Sequence, residues 1–335
     1  MNSRPATNPP FPLLITGIAG VSGYNAFQYF QAKYPGQVFG IRQKNNWPLD
    51  GDGVLPCDIE DTAELERLFD KHQFQAVINC GGSCALKSCE LDPTMAWRIN
   101  LHGVRNLLSV LENRDIRLVH LSIDLVFSGT AEGDHLETDT TDPITVYGKT
   151  MTVAENLVQL HYPQATMLRI SLPMGISFNG HAGAIDWIQS RFAKQKPATL
   201  FYDEVRTPTY TDCLNLLLED VVARDMPGLF HCGGPIKMSL YEIAQVVNRV
   251  GGYRAEDLMG CFREEAGPMP PRAGDVSMDS SKLIEALGYN PFDPWPHDPQ
   301  FIPTHKDWHL ERPAGENGSP ELLQQILYRN PNRKN

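Results

Sequence analysis

The sequence predicts an α/β fold, a doubly wound parallel sheet covered by helices on both faces, followed by a smaller C-terminal region. Two observations predict this fold. Short apolar runs alternate with segments whose apolar residues recur at helical spacing, and the connections between them are short. The strand-like runs that begin at Leu13, Ala76 and Arg117 are also largely apolar, as strands buried between two helical layers must be.

The first element is the stretch LLITGIAGVSGYNAFQYF, residues 13–30, which predicts a strand, a tight turn and a helix. Gly17, Gly20 and Gly23 recur every three residues. Glycines at this spacing allow positive φ, close approach of a pyrophosphate and tight packing of helix on strand, and the helix N-terminus offers N–H groups to the anion. A plain loop is the alternative interpretation, but a strand before and a helix after favour a Rossmann-type dinucleotide site. The residues predicted to bind the cofactor here are Gly17, Gly20, Val21, Ser22 and Gly23.

The second predicted strand, GQVFGIR at residues 36–42, ends where such folds select between cofactors. An acidic residue there would bind the ribose 2′-OH of NAD, whereas this chain has Arg42 and then Lys44, which suit a 2′-phosphate. The sequence therefore favours NADP over NAD as the cofactor. The other interpretation is that Arg42 is an ordinary solvated charge.

Further cofactor contacts are predicted after the next two strands. Asp58, beside Ile59, lies where a side chain reaches the adenine amino group, although Asp58 and Asp61 are equally suited to cap the helix that follows. The run AVINCGGS, residues 76–83, predicts a buried strand that opens into glycines beside the dinucleotide. Asn100 falls in a long helical pattern, where a buried amide needs a partner. The remaining predicted cofactor residues are Cys80, Gly81, Gly82, Asn100 and Leu172.

Composition limits the class of protein. The chain has 335 residues, of which 41% are hydrophobic, so it can bury a large core. A net charge of −11 argues against nucleic acid as the main partner, because phosphates require a basic face. The sequence has no apolar run of the roughly 18 residues that a membrane span needs and no N-terminal signal-like segment, so we expect a cytoplasmic protein. Its seven cysteines are expected to be reduced thiols, with no metal site.

Several motifs, taken in order, carry a family resemblance. These are the glycine turn TGIAGVSG, the strand LSIDLVFSG, the segment YGKT starting at Tyr147, and the segments LRISLPMG, RTPTYTDCLNLL and PPRAGDVSMDSSKL. Together they resemble the extended short-chain dehydrogenase/reductases, and most closely the dTDP-4-dehydrorhamnose reductase group, over residues 12–295. The resemblance implies a nicotinamide dinucleotide, a nucleotide-sugar substrate, and Tyr147 as the acid for a ketone that accepts hydride.

The proton-donor motif departs from the family pattern at two positions. The family has a Lys four residues after the Tyr, where this chain has Met151, and Lys149 points about 200° round the helix from Tyr147. The hydroxyl residue expected in the strand is replaced by Ile123. Ser122 remains a candidate catalytic residue with Tyr147, although strand alternation turns its side chain to the other face. A cation from elsewhere, such as Lys87, would restore the acid if it came within about 4–6 Å of the hydroxyl.

The substrate end is predicted from the same resemblance. Arg206 and Arg272 lie where similar reductases contact the nucleotide sugar, and Arg is suited to bidentate recognition of phosphate. A surface salt bridge is the alternative role for each. Ser83 and Asp124 complete the predicted substrate-binding set.

The resemblance also gives expected domain boundaries. We predict a flexible N-terminal arm at residues 1–11 and an NAD(P)-binding Rossmann domain at 12–174. A substrate-binding region interleaved with the last strands follows at 175–295, and a proline-rich tail at 296–335; the stretch at residues 293–313 is too rich in proline for regular elements.

Three functions remain open at this stage, and all of them require the cofactor. The first is reduction of a nucleotide-linked keto sugar. The second is a dinucleotide-binding regulatory subunit, a role for which the non-catalytic subunit of methionine adenosyltransferase, similar in fold, is a precedent. The third is epimerase or dehydratase chemistry on the same scaffold. The expected partners are a nucleotide sugar and, in a homodimer, a second copy of the chain, with no nucleic acid and no membrane.

Overall fold

A computed structural model describes residues 8–82, 86–181, 183–267 and 270–329. Seven strands form the central sheet: β1 (Leu13–Thr16), β2 (Val38–Arg42), β3 (Val54–Pro56), β4 (Ala76–Asn79), β5 (Arg117–Ile123), β6 (Thr166–Ile170) and β11 (Gly228–Cys232). Six short strands pair outside it: β7 (Pro173–Met174), β8 (Ala198–Phe201), β9 (Val205–Arg206), β10 (Thr209–Tyr210), β12 (Met238–Ser239) and β13 (Leu258–Cys261).

The α-helices connect and cover these strands. They are α1 (Val21–Lys33), α2 (Thr62–His72), α3 (Leu86–Leu91), α4 (Pro93–Trp97), α5 (Gly103–Leu111), α6 (Val146–His161), α7 (Ala184–Ala193), α8 (Thr211–Ala223), α9 (Leu240–Val250), α10 (Ser281–Leu287) and α11 (Pro320–Leu327). Within the described part of the chain, no helix combines the length and apolar character that crossing a bilayer requires.

The central sheet is parallel throughout, with the strand order β3-β2-β1-β4-β5-β6-β11. This order confirms the predicted doubly wound α/β fold. The direction of winding reverses between β1 and β4, and ligands of such sheets bind at that reversal, outside the carboxyl ends of the strands. The two glycine turns predicted to hold the cofactor follow these two strands directly.

Both faces of the sheet are buried, which explains the apolar strands of the sequence. On one face Ile15, Ile78 and Leu121 pack in a core shared with α1 and α8. On the other face, residues such as Val77 and Leu118 pack in a core shared with α2, α5 and α6. Side chains alternate between these faces along each strand, so each residue of β5 belongs to one layer or the other.

The long helix predicted around Asn100 is present, with one irregularity. A π-helical turn, Arg98–His102, joins α4 to α5, and the residues on either side of it keep helical dihedral angles. Such turns insert an extra residue into a helix and often occur at functional sites. Here the turn carries Asn100, which is buried.

The C-terminal segment is more regular than its proline content suggests. The proline-rich stretch at residues 293–313 forms no α-helix or β-strand, as predicted, but α11 follows it, beginning at Pro320 and capped by Ser319, which accepts a hydrogen bond from the Leu322 amide at 3.1 Å. Proline fits the first turn of a helix because its missing N–H would be unpaired there. The hydroxyl of Tyr210 donates to the Ile326 carbonyl at 2.9 Å, so this helix packs into the main core.

The region after residue 175 contributes to the main sheet and also forms separate pairs. Strand β11 joins β6 in the central sheet, whereas β7 pairs with β10, β9 with β12, and β8 with β13. This arrangement agrees with a region interleaved with the last sheet strands, and its domain boundaries stay a prediction. Of the N-terminal arm, residues 8–11 are described, and Phe11 packs against Tyr34 with ring centroids 4.7 Å apart.

Candidate active site

The turn between β1 and α1 requires glycine at two positions. Gly17 has φ of +66°, and a Cβ there would lie 2.3 Å from the Cys80 carbonyl oxygen. A Cβ at Gly23 would lie 2.3 Å from the Gly17 carbonyl oxygen. Contacts this short are never tolerated by backbone, so both sites exclude any side chain. Gly20 differs, because a Cβ there would meet only Gly17, at 3.5 Å, and the space beside it is open.

The N-terminus of α1 is suited to an anion. Gly20 occupies the N-cap position, no side chain of the described residues caps it, and the first turn contains no acidic residue. The amides of Val21, Ser22 and Gly23 therefore lack intrahelical acceptors, and the helix dipole adds positive potential at the same place. The open space at Gly20 and these amides fit a pyrophosphate.

A second glycine turn, after β4, lies against the first. A Cβ on Gly17 would lie 2.8 Å from the Gly81 Cα, so the two turns are in contact. The Gly81 amide lies 3.1 Å from the Thr16 hydroxyl oxygen and 3.2 Å from the Asn79 Oδ1, and Thr16 donates to that same Oδ1 at 2.5 Å. Asn79 is in turn bonded to His120, with 2.8 Å between Nδ2 and Nδ1. A buried polar chain thus fixes the backbone of the second turn.

Asn100 links the second turn to α6. Its Nδ2 donates to the Thr150 hydroxyl at 2.8 Å, and that hydroxyl donates to the Tyr147 carbonyl at 2.7 Å. A Cβ on Gly82 would lie 3.3 Å from the Asn100 Oδ1. The structure thus brings Asn100, Gly82 and Tyr147 together and supplies the partner that the buried amide requires.

A cavity of about 670 Å³ opens beside these turns, with Asp58, Ile59 and Ile99 in its wall. Of the two roles considered for the acidic residues, capping belongs to Asp61, which accepts from the Glu64 amide at 3.0 Å at the start of α2. Asp58 instead accepts from the Lys44 amide at 3.0 Å. The rest of the wall is polar and includes the basic Lys44 and Arg98, so that Ile59 and Ile99 supply the apolar contact an adenine ring needs and Asp58 an acceptor for its amino group.

The two cations predicted for a 2′-phosphate are already engaged. The Arg42 guanidinium donates to three carbonyls of the following loop, those of Leu49 at 2.5 Å, Gln43 at 3.0 Å and Lys44 at 3.1 Å. The Lys44 ammonium lies 2.5 Å from Glu64 and 3.4 Å from Asp61. Arg42 therefore shapes the loop, and Lys44, whose side chain is 47% exposed, is the cation that faces solvent.

Tyr147 lies in the first turn of α6, behind a helix cap in which Thr145 accepts from the Gly148 amide at 2.9 Å. It is 7% exposed and packs in an apolar cluster that includes Met151 and Ile123. The three positions of the family's proton-donor motif therefore meet in space, but two of them are apolar. Lys149 is exposed, as its helical position predicts, and so is Lys87 on α3.

Ser122 lies on a different layer from this cluster. It shares its sheet face with Leu118, whereas Ile123 points to the other side. Ser122 pairs opposite Arg169 of β6, is 2% exposed, and its hydroxyl has no hydrogen-bond partner among the described residues. Its catalytic role stays a prediction that the strand alternation does not favour.

Each predicted substrate arginine is paired with a buried carboxylate. Arg206 contacts Asp124 at 2.6 Å, and the Ser171 hydroxyl donates to the same carboxylate at 2.7 Å. Burial raises the pKa of Asp124, while Arg206 and the Ser171 hydrogen bond oppose the rise. Arg272 binds both oxygens of Glu204, at 2.8 and 3.0 Å. These are not surface salt bridges, since Asp124 and Glu204 are at most 2% exposed.

Of the last two predicted residues, Leu172 is described by the structure and Ser83 is not. Leu172 follows the carboxyl end of β6, at the same sheet edge as Gly81, and its carbonyl accepts from the Thr209 amide at 3.1 Å. Ser83 lies outside the described residues. In the ranges that are described, no three His, Cys, Asp or Glu side chains are grouped as metal ligands.

The family described as the RmlD substrate binding domain matches residues 12–300. The chain belongs to this family. A probable low-salt glycan biosynthesis reductase of Haloferax volcanii is 30% identical over 233 residues, 69% of this chain and 78% of the relative. The methionine adenosyltransferase 2 subunit beta of Xenopus laevis is 26% identical over 296 residues, 84% of each chain.

Solved structures agree on the fold. The crystal structure of a dTDP-4-dehydrorhamnose reductase from Bacillus anthracis in complex with NADP superposes with a TM-score of 0.74 at 17% identity, covering 94% of this chain and 97% of that one. The resemblance that the motifs carried, to extended short-chain dehydrogenase/reductases and the dTDP-4-dehydrorhamnose reductase group, is therefore confirmed.

Sequence reasoning missed three polar residues of this RmlD-family site: Thr16, Asn79 and His120. Each stands near the carboxyl end of a strand that is otherwise apolar, and all three are at most 1% exposed. The signal was available in RLVHLSI, where a histidine occupies a position that alternation assigns to the core. A buried polar side chain requires a partner, and the polar ends of the neighbouring strands are where that partner lies.

Proposed function

We propose that this chain binds NADP(H) and reduces the keto group of a nucleotide-linked sugar, with Tyr147 as the proton donor. The observation that carries the proposal is that an intact pair of glycine turns and Tyr147 lie at one edge of the sheet, joined through Asn100 and Thr150. A relative 30% identical to this chain is named a reductase, which supports the reaction class.

The residues divide into three groups by role. The amides of the first turn of α1 and the backbone at Gly81 and Gly82 would hold the pyrophosphate, and the cavity at Asp58 and Ile59 would hold the adenosine. Lys44, on the loop shaped by Arg42, would meet the 2′-phosphate. When bound, a reduced nicotinamide supplies the hydride that a ketone accepts. The predicted substrate contacts are Ser83, Asp124, Arg206 and Arg272.

Tyr147 must deliver its proton without the usual lysine. An ordinary phenol has a pKa near 10, so it is protonated at neutral pH and is in the correct form for an acid. Losing the activating cation puts at risk about 10²- to 10⁴-fold of general-acid assistance. Positioning two reactants contributes effective molarities of about 10⁵–10⁸ M, which is the larger effect. We therefore expect slow turnover rather than none.

The proposal is tested by binding and turnover in one preparation. NADPH and NADH are titrated into the protein by fluorescence, and NADPH oxidation is then followed with a panel of dTDP- and UDP-linked 4-keto sugars. We expect NADPH binding and slow oxidation with at least one sugar, and a loss of about 100-fold or more in turnover for Tyr147→Phe with binding retained. Oxidation that Tyr147→Phe leaves unchanged would remove Tyr147 from the mechanism.

A second candidate is a dinucleotide-binding regulatory subunit, favoured by the packing of Met151 and Ile123 around Tyr147. A relative of similar coverage is named as a subunit of methionine adenosyltransferase. Binding of NADPH without turnover on any sugar, and no activity gained by Met151→Lys with Ile123→Thr, would favour this role over the reductase.

A further inference from the structure

We propose that His120 is a positioning residue for the dinucleotide site, which acts by orienting Asn79 so that the Gly81 turn is held in place. The inference rests on the proposed dinucleotide binding and adds a residue outside the motifs that carried the family resemblance. It stands on the chain of hydrogen bonds from His120 through Asn79 to the Gly81 amide.

The orientation of the Asn79 side chain follows from the donors around it. The Gly81 amide only donates, and the Asn79 terminal atom 3.2 Å from it also lies 2.5 Å from the Thr16 hydroxyl, so we assign that atom as the oxygen, which accepts from both. The other terminal atom is then the NH₂ group, and it faces the His120 Nδ1 at 2.8 Å. Nδ1 must therefore accept, and the imidazole proton lies on Nε2. Burial lowers the pKa of His120 to about 4, which keeps this neutral form at physiological pH.

The second step leads from Gly81 to the anion-binding turn. The Cα of Gly81 and the Cys80 carbonyl lie against Gly17, where an added Cβ would come within 2.8 Å and 2.3 Å of them. Gly17 in turn lies against Gly23 in the first turn of α1. A shift of the Gly81 backbone toward Gly17 would therefore displace the turn whose amides are proposed to bind the pyrophosphate.

Burying His120 is less favourable in free energy than burying an apolar residue at the same position would be. Its Nε2 is buried and has no hydrogen-bond partner among the described residues, and the residue is 0% exposed. A leucine would remove this unpaired donor but would leave the buried Asn79 NH₂ without an acceptor, so that Thr16 would be the remaining side chain that orients Asn79. The Asn79 NH₂ group therefore requires a hydrogen-bond acceptor at the Nδ1 position, which an apolar side chain cannot supply.

Two substitutions at His120 separate this role from simple core packing. His120→Leu removes the acceptor, whereas the side-chain oxygen of His120→Asn lies close to the position of Nδ1 and can still accept from Asn79. We expect the Kd for NADPH to rise about tenfold in His120→Leu and to stay within about threefold of wild type in His120→Asn. Fluorescence titration measures both, at a temperature where circular dichroism shows each variant folded.

A matched control tests for a general loss of stability. Leu121→Ala, on the same strand but on the opposite face, creates a cavity without touching the hydrogen-bonded chain. We expect it to lower the thermal midpoint while leaving the Kd within about threefold of wild type. A Kd that follows the thermal midpoint across all three variants would overturn the inference. So would His120→Leu with unchanged Kd.

A spectroscopic measurement tests the chain independently of binding. In ¹⁵N NMR of the imidazole groups, the signals absent from His120→Asn identify His120, and we expect its proton on Nε2. A proton on Nδ1 would overturn the inference, because Asn79 would then be flipped. If wild type binds neither NADPH nor NADH, the proposed function fails, while the NMR result still decides whether the chain exists.

Discussion

Two regions at the same edge of the sheet differ in whether their residues can be replaced by others. At the dinucleotide end, Gly17 and Gly23 are so closely packed that any Cβ would lie 2.3 Å from a carbonyl oxygen. At the proton-donor end, Met151 and Ile123 replace polar residues of the family and pack around Tyr147. The first region is defined by backbone geometry, and the second by side chains that pack in one apolar cluster.

The difference shows which functions depend on the backbone of the fold and which depend on individual side chains. Binding of a pyrophosphate depends on amides and glycines, so it survives wherever the turn itself is built. Proton delivery depends on a few side chains, and a buried methionine fills the space of a lysine while removing its charge. Membership of the RmlD family therefore supports a dinucleotide site more strongly than it supports a given catalytic rate.

The largest expected effect comes from breaking the dinucleotide end. Gly17→Ala should lower NADPH affinity by at least about 100-fold or prevent folding, because backbone atoms occupy the space of the new Cβ. Gly36→Ala is the matched control, since Gly36 has a similar φ of +76° but no atom within 4 Å of its Cβ position. Fluorescence titration and circular dichroism measure both. Equal effects would show that φ, and not the packed turn, is what matters.

The next effect tests whether Arg206 has a structural role. Arg206→Met should destabilise the protein by about 3–5 kcal/mol, because Asp124 would remain as a buried carboxylate without its cation. Urea unfolding at neutral pH measures the change. Asp124→Asn in the same chain should restore much of the stability, since the charge is then gone. A loss below about 1 kcal/mol would leave Arg206 available to a substrate.

Acid should lower the free energy of unfolding. Burial lowers the pKa of His120 to about 4, and burial together with Arg169 lowers that of His231 to about 4. Unfolded histidine titrates near 6.5, so the unfolded chain binds more protons between these values and stability falls as pH drops from about 6.5 to 4. We expect a loss of about 2 kcal/mol per histidine at pH 5.

Urea unfolding at pH 7 and pH 5 checks this dependence. His120→Asn should lose less stability between the two pH values than wild type does, because one titrating group has been removed. Identical losses would mean that the pKa of His120 is the same in the folded and the unfolded chain.

The smallest effect concerns the choice of cofactor. Glu64→Gln should lower the Kd for NADPH about threefold and leave that for NADH unchanged, because it frees Lys44 from an exposed ion pair. Glu66→Gln, an exposed change on the same helix outside the Lys44 pairs, is the control for overall charge. Isothermal titration with both nucleotides measures the four constants. An equal gain for NADH would show that Lys44 does not select the 2′-phosphate.

Local sequence patterns predicted most of the fold. The glycine spacing after Leu13, the helical period of residues 62–73 and the apolar runs of the strands each correspond to an element in the structure. These patterns predict helices and strands because buried positions recur along each element at a spacing of only a few residues. Helix α11 was not predicted, although Ser319 before Pro320 is a start signal for a helix.

The contacts of the site were harder to predict because their partners are distant in sequence. The residues at the catalytic positions followed from motif order, and Tyr147, Met151 and Ile123 do meet. Nothing local indicates that Arg206 pairs with Asp124, which is 82 residues away. The same holds for His120 and Asn79, whose contact depends on which strands are neighbours in the sheet.

The central claim is that cofactor binding by the glycine turns and proton donation by Tyr147 depend on different residues and can change independently. One double variant tests this claim most directly. Ile123→Thr with Met151→Lys restores the hydroxyl and the cation beside Tyr147 without touching the glycine turns. Measured beside wild type, we predict a Kd for NADPH within about threefold and a kcat for keto-sugar reduction higher by about 10²- to 10⁴-fold. No turnover in either protein, or a wild-type rate that the double variant does not exceed, would contradict the account.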